Sequence, residues 1–240
     1  REQELEGAYT TTEKWAEPLR NALYSVRNTI ESIVETCKAD EYTVFLTGKG
    51  NFRDKVATLA GYKANRKDLR RPIHYDDIRE YLTEHHNAVV TTGVEADDAL
   101  ADAQGKDTVI CSIDKDLLQI PGRHFNWVKS AKVMTPIDLG YIFKWRQVLT
   151  GDTTDNIPGI KGLGPKKAEK LIRRGMDEEE CRKVCIREWR KAIRTGKVQI
   201  VESTKGLDAE QVVEEIHRLI KVGGPYPNDD KDRAHQEDAA

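Results

Sequence analysis

Leu149-Thr-Gly-Asp152-Thr-Thr-Asp155-Asn-Ile-Pro-Gly159-Ile-Lys-Gly162-Leu-Gly164-Pro-Lys166-Lys167-Ala-Glu-Lys170-Leu171 decides how the rest of the chain is read. Its glycines fall between two helical patterns with spacing GxxGxG, and lysines crowd the first turns of the second. The stretch reads as a helix-hairpin-helix. Glycines let backbone N–H groups come close to a phosphate, and the N-terminus of the following helix adds a positive dipole end, so contact would be to a nucleic-acid backbone rather than to base edges. From Lys161 to Arg174 there are six bases against one acid. An ordinary helix-loop-helix with a solvated basic face leaves the coincidence of glycines and lysines unexplained. Asp152 and Asp155, three apart in a Gly/Thr/Asn segment, would alone pass for a turn or a cap.

Towards the N-terminus the pattern alternates. Leu19, Leu23, Val26, Ile30, Ile33 and Val34 recur at helical spacing between Glu17 and Cys37, which predicts an amphipathic helix packed on a sheet. Tyr42–Leu46, Val89–Val90 and Thr108–Ile113 read as strands, with Thr47–Asn51 a loop at a strand's carboxyl end. Helical pattern over Tyr75–His85 and Ala96–Gln104 separates them. Such alternation predicts an α/β fold with a mostly parallel sheet and covering helices, and ligands at the strands' carboxyl ends. From Pro136 onward the pattern is wholly helical. The expected organisation is an α/β core over 1–150, the hairpin with a helical extension over 151–222, and a disordered tail over 223–240. That tail holds no aliphatic core residue.

Composition limits the function. A chain of 240 residues, 33% charged and 38% hydrophobic, can bury a core, and its net charge of −2 rules out a uniformly basic surface. Nucleic-acid contact must come from local patches. The four cysteines (Cys37, Cys111, Cys181, Cys185) form no CxxC pair, which fits a reduced, cytoplasmic protein, and for a phage product the host cytoplasm. No apolar run reaches the length of a membrane span, and a monomer is expected.

The acids carry the chemistry. Glu95, Asp97 and Asp98 open a helix just after a strand. One or two acids there would be a helix-dipole cap, whereas three at a strand's end call for more. Asp114 and Asp116 follow directly on the strand Thr108–Ile113 and would point the same way in extended chain, a repulsion that a cation between them relieves and that Lys115 could partly relieve. With Asp152 and Asp155 the groups supply seven carboxylates and no nearby His or Cys, a set suited to Mg²⁺ or Mn²⁺ rather than zinc. Two such ions about 3.5 to 4 Å apart can activate water and stabilise the leaving oxygen of a phosphodiester. A basic stretch from Phe52 to Arg71 includes Arg53, Lys63, Arg66 and Lys67, with Phe52 and Tyr62 among them. It reads either as a path for a single strand or as a solvated helix.

EADD, SIDKD, LTGDTTDNIPGIKGLGPKKAEKL and NFRD…YKANR occur in one order, and with them the chain resembles the 5′-3′ exonuclease and flap-endonuclease family. That family includes phage-type 5′-nucleases and the nuclease domain of bacterial DNA polymerase I. The resemblance covers roughly Tyr42 to Ile172; residues 175–240 match no pattern. It implies a PIN-like core interrupted by a helical arch, followed by the helix-hairpin-helix, and a structure-specific 5′-nuclease acting on DNA with a 5′ flap or single-stranded 5′ end. It implies two Mg²⁺ (or Mn²⁺) ions on Glu95, Asp97, Asp98, Asp114, Asp116, Asp152 and Asp155. Lys63 and Arg66 take the catalytic positions of the arch that contact the scissile phosphate. Arg53, Lys63, Arg66, Lys67, Gly159, Gly162, Gly164, Lys166 and Lys167 become the DNA-binding set, with K⁺ at the hairpin in many members and a replicative polymerase as a partner in replication.

Two departures matter. Family members begin with a strand ending in Asp, and no apolar strand precedes the helix at Glu17. A second Asp typically closes the strand equivalent to Tyr42–Leu46, where this chain has Leu46-Thr47-Gly48-Lys49. The departures leave open a piece of a longer reading frame or a chain with impaired catalysis. Two other readings stand beside the nuclease: a non-catalytic, structure-selective DNA-binding protein, and a PIN-like ribonuclease.

Overall fold

A computed structural model describes residues 17–66, 69–198 and 206–224. Helix α1 (Leu19–Cys37) starts after Pro18 and ends where Lys38 turns left-handed at φ 53°. Its apolar stripe is where the spacing put it, yet none of its residues is buried. The surface on which that stripe was expected to lie is incomplete, because the sheet is divided. Strands β1 (Phe45–Leu46) and β2 (Val89–Val90) pair in parallel, Phe45 opposite Val89. Strands β3 (Val109–Cys111), β4 (Gly122–Asn126) and β5 (Ala131–Thr135) form a second sheet, β3 parallel to β4 and β4 antiparallel to β5. The expectation of one mostly parallel sheet is thus corrected: the parallel pairings exist, in two pieces, with an antiparallel hairpin added. Val89 and Val90, on opposite faces of β2, stay 45% and 46% exposed, so neither face of this short piece is fully covered.

Helices α2 (Phe52–Val56), α3 (Tyr75–His86) and α4 (Ala96–Asp102) connect these strands. The helical arch expected between α2 and α3 is absent among the described residues. In its place a single 3₁₀ turn at Ala64–Arg66 lies flat on the hairpin loop. Lys63 donates its backbone N–H to Asp155 O at 2.9 Å, Asn65 Nδ2 reaches Thr153 O at 3.0 Å, and the Tyr62 ring is buried in the core. Those bonds hold the segment down. Lys67 lies outside the described residues.

The main core is helical. Helices α5 (Ile137–Thr150), α6 (Pro165–Leu171), α7 (Glu178–Arg194) and α8 (Ala209–Ile220) pack Trp145, Leu149, Ile172, Trp189, Val212 and Ile216 together. Leu59 and Tyr62 enter the same cluster, so the expected boundary after Thr150 cuts through a continuous core. α8 is the most sharply amphipathic element, with Val212, Val213, Ile216, Leu219 and Ile220 on one buried face. The expected tail from residue 225 lies outside the described residues. Gly223 and Gly224, placed in that tail, are fixed: Gly223 N–H donates to Asp98 and Gly224 N–H to Asp102.

Candidate metal centre

Three chain reversals deliver the acids to one cleft. After β2 the chain turns at Gly93 (φ 77°) into α4, where Glu95 is the N-cap and shares a capping box with Asp98. After β3, Asp114 caps the 3₁₀ turn Lys115–Gln119 by accepting the Asp116 N–H at 2.8 Å. After α5, Asp152 and Ile157 exchange two backbone bonds of 3.0 and 2.7 Å, and Asp152 Oδ1 accepts the Thr154 N–H at 2.8 Å. Gly151 and Gly159 make that loop sharp. A Cβ on Gly159 would stand 2.0 Å from Thr150 O, so glycine is required there by the loop's own backbone.

Glu95, Asp97, Asp114, Asp116, Asp152 and Asp155 line the cleft together with Tyr62, Lys63, Arg66 and Gln147. Six of the seven expected metal ligands therefore meet. The seventh does not. Asp98 is 0% exposed and accepts both ends of the Arg53 guanidinium, at 2.7 Å from Nη1 and 2.8 Å from Nη2. Arg53, expected on the DNA path, is itself 2% exposed; its guanidinium lies at the cleft wall, gripped by Asp98 and 3.5 Å from Glu95 Oε2. In the structure these two almost wholly buried opposite charges satisfy each other.

The cleft's carboxylates are held apart by cations and donors. The Lys63 ammonium is bonded to Glu95 Oε1 and lies 3.8 Å from Asp155. Tyr62 Oη donates to Glu95 Oε2 at 2.7 Å and stands 3.0 Å from Asp155 Oδ2. Arg66 Nη2 donates to Asp155 Oδ1 at 2.7 Å. Lys115 Nζ bridges Asp116 (2.8 Å) and Asp152 (3.2 Å), and Gln147 Nε2 donates to Asp116 Oδ1 at 2.7 Å. Burial and the charges of Asp114 and Glu95 push the Asp97 carboxyl up to about 6. Burial raises Asp116 as well, against the pull of Lys115. Burial also opposes ionisation of Asp152, but Lys115 and the Thr154 and Asp155 N–H groups outweigh it and hold Asp152 below the usual carboxylate range. Tyr62, Lys115 and Gln147 take part without having been singled out as site residues. Gln147 carried no signal of its own, one of two polar residues, with Arg146, in Trp145–Leu149.

The donor set fits a hard divalent cation. It is all oxygen, and the like charges around Asp97 are what a cation would relieve. As it stands, no group of three or more His, Cys, Asp or Glu among the described residues is arranged to hold an ion, since Lys63, Arg66 and Lys115 are inserted between them. A metal must displace ammonium groups to enter.

Beyond the acids the hairpin loop continues outward. Gly162 (φ 77°) and Gly164 are exposed with open space where a Cβ would lie, and Lys166 is exposed beside them. Lys167 Nζ donates to Gly162 O at 2.7 Å. Gly159, by contrast, is packed on Thr150 within the loop.

A carboxylate-lined cleft at the ends of parallel strands, continuous with a glycine hairpin, defines a resolvase-like α/β class. The chain belongs to the family described as 5′-3′ exonuclease, N-terminal resolvase-like domain, whose model matches residues 8–144. It is 37% identical over 133 residues to DNA polymerase I of Rhizobium leguminosarum, covering 46% of this chain and 13% of that protein. It is 32% identical over 136 residues to the flap endonuclease Xni of Shewanella piezotolerans, covering 50% of this chain and 53% of that one. The chain thus spans about half of one relative's length and far less of the other. The fold is also that of the bacteriophage T5 flap endonuclease, solved as a pseudo-enzyme-product complex with DNA and metal ions: TM-score 0.56 at 20% identity, over 82% of this chain and 80% of that one.

Proposed function

We propose that the chain is a metal-dependent, structure-specific 5′-nuclease that hydrolyses DNA phosphodiesters. The observation that carries the reading is the gathering of six carboxylates from three separate segments into one cleft with no His or Cys. Glu95, Asp97, Asp114, Asp116, Asp152 and Asp155 would hold two divalent ions, Mg²⁺ or Mn²⁺. When bound, the ions supply Lewis acidity towards water and the leaving oxygen. Lys63 and Arg66, released from Glu95 and Asp155, are then free to neutralise charge on a phosphate at the same spot. Tyr62 and Gln147 hold Glu95 and Asp116 in orientation. Gly162, Gly164 and Lys166 present an exposed phosphate-binding edge for the duplex, the role proposed for the helix-hairpin-helix. K⁺ at the hairpin would have to compete with Lys167 for Gly162 O.

A second reading has its own observation. Lys63, Arg66 and Lys115 already neutralise the acids, which favours a non-catalytic, structure-selective DNA-binding protein. One experiment separates the readings: incubate the chain with a labelled 5′-flap duplex, with Mg²⁺ or EDTA, beside Asp114→Asn and an RNA substrate. Cleavage of DNA that requires Mg²⁺ and is reduced at least 100-fold in Asp114→Asn supports the nuclease. Binding without cutting leaves the second reading, and preferential cutting of RNA replaces both with a ribonuclease.

A further inference from the structure

Helix α8 and the segment after it lie beyond residues 8–144, the part of the chain that the family description covers. They nevertheless reach the cleft. Leu219, Ile220 and Val222 line it directly, and the backbone from Leu219 to Val222 is bonded to two buried polar side chains. The first is Arg53, which donates Nε to Leu219 O at 3.0 Å and Nη2 to Lys221 O at 2.6 Å, while its guanidinium grips Asp98. Asp98 in turn accepts the Gly223 N–H at 3.1 Å and the Glu95 N–H at 3.0 Å. The second is Gln119, 6% exposed, whose amide donates to Ile220 O (3.1 Å) and to Asp116 O (3.0 Å) and whose carbonyl accepts the Val222 N–H (3.0 Å).

One strand of backbone thus touches two of the three acid groups of the cleft. Through Asp98 it is tied to the helix start that carries Glu95 and Asp97. Through Gln119 it is tied to the turn that carries Asp114 and Asp116. These two groups follow strands of different sheets that share no ladder, so something other than a sheet ladder must set the distance between them. The side-chain polar atoms of Arg53, Asp98 and Gln119 are all paired, which is the condition under which a buried polar network is rigid rather than costly.

We infer that the Leu219–Gly224 segment is a strap that fixes the spacing of the Glu95/Asp97 group from the Asp114/Asp116 group, with Arg53, Asp98 and Gln119 as positioning residues rather than metal ligands or DNA contacts. The inference rests on the metal-dependent reading of the cleft. It assigns Asp98 to the scaffold: its four accepted bonds leave no lone pair facing the cleft, which its side chain does not line.

The test uses the full chain as wild type, Arg53→Gln, Asp98→Asn and the double variant. Mn²⁺ affinity is measured by titration calorimetry without DNA, and kcat and KM on a 5′-flap duplex. Each single change should weaken Mn²⁺ binding about 10- to 100-fold, lower kcat with KM little moved, and the double variant should be no worse than the weaker single, because both changes break one link. Arg53→Lys, which keeps the charge but not the two-pronged grip, should fall between. Asp98→Asn abolishing Mn²⁺ binding while Arg53→Gln binds as wild type overturns the proposal and makes Asp98 a ligand. Should the ion-pair variants fail to fold, Gln119→Met fills the same volume without the hydrogen bonds. Its folded form should also lose Mn²⁺ affinity; wild-type affinity with only a lower thermal midpoint shows a merely structural role and overturns the strap. A wild type that binds Mn²⁺ without cutting ends the nuclease reading while leaving the strap to be judged by calorimetry alone. A wild type that takes up no Mn²⁺ ends both.

Discussion

Lys115 stands between Asp116 and Asp152 as a placeholder, one ammonium balancing two carboxylates on different loops. Its side chain is 64% exposed, so the pairs are screened and contribute little individually. Lys115→Met should therefore lower the thermal midpoint of the metal-free protein only slightly, by the loss of about 1 kcal/mol. Removing a competitor for the same oxygens should also tighten Mn²⁺ binding several-fold. Calorimetry of the variant beside wild type checks both directions, and weaker Mn²⁺ binding would show that Lys115 helps to build the site. SIDKD exposed the two acids to a reader of the sequence. That the lysine between them turns to span Asp152, thirty-seven residues away, depends on a loop geometry that no spacing rule contains.

The loop between α5 and α6 joins both activities proposed for the chain, with Asp152 and Asp155 at one end and Gly162 to Lys167 at the other. Lys166 is exposed and donates no hydrogen bond within the protein among the described residues, so its contribution to a duplex should be that of one phosphate contact. Lys166→Ala is expected to reduce the slope of log affinity against log salt by about 0.9, with little dependence on DNA sequence. Fluorescence anisotropy across a KCl series reads the slope, and an unchanged value assigns the duplex to another face. The glycine spacing made this element legible, because a left-handed φ and a close backbone approach each demand glycine. The flattening of the Phe52–Arg66 stretch was not legible. Its charges suit an exposed arch equally well, and only the bonds from Lys63 and Asn65 to the 153–155 loop decide otherwise.

Across the whole molecule, helices α5, α7 and α8 meet at His217, stacked on Trp145 at a centroid distance of 4.6 Å. Its Nε2 is buried without a partner among the described residues. Burial first, and then the positive charges of Lys144, Lys221 and Arg182 against the single opposing Glu178, lower its pKa from 6.5 to about 4. An unfolded chain binds that proton from pH 6.5 downward and the folded one does not. Stability from His217 is thus intact above about pH 6.5 and is lost as pH falls towards about 4. The loss is of order 2 kcal/mol after allowing for the ring's partial exposure. His217→Phe should flatten the difference in denaturant stability between pH 7 and pH 4 relative to wild type. Parallel wild-type and variant profiles would mean that the ring is already protonated in the fold.

Features with a local signal could be read from the chain alone. Helical period set α1, α3 and α4; β-branched runs set β1 to β3; glycines and paired acids set the loop of the hairpin and the three carboxylate groups. Only the tertiary structure decided which charges meet. It buried Arg53 against Asp98, left six acids in the cleft, divided the sheet, and carried the end of α8 against two of the three acid groups. A charged side chain's role depends on the nearest opposite charge and on how much water remains around it. Both are set by chain segments that are distant in sequence.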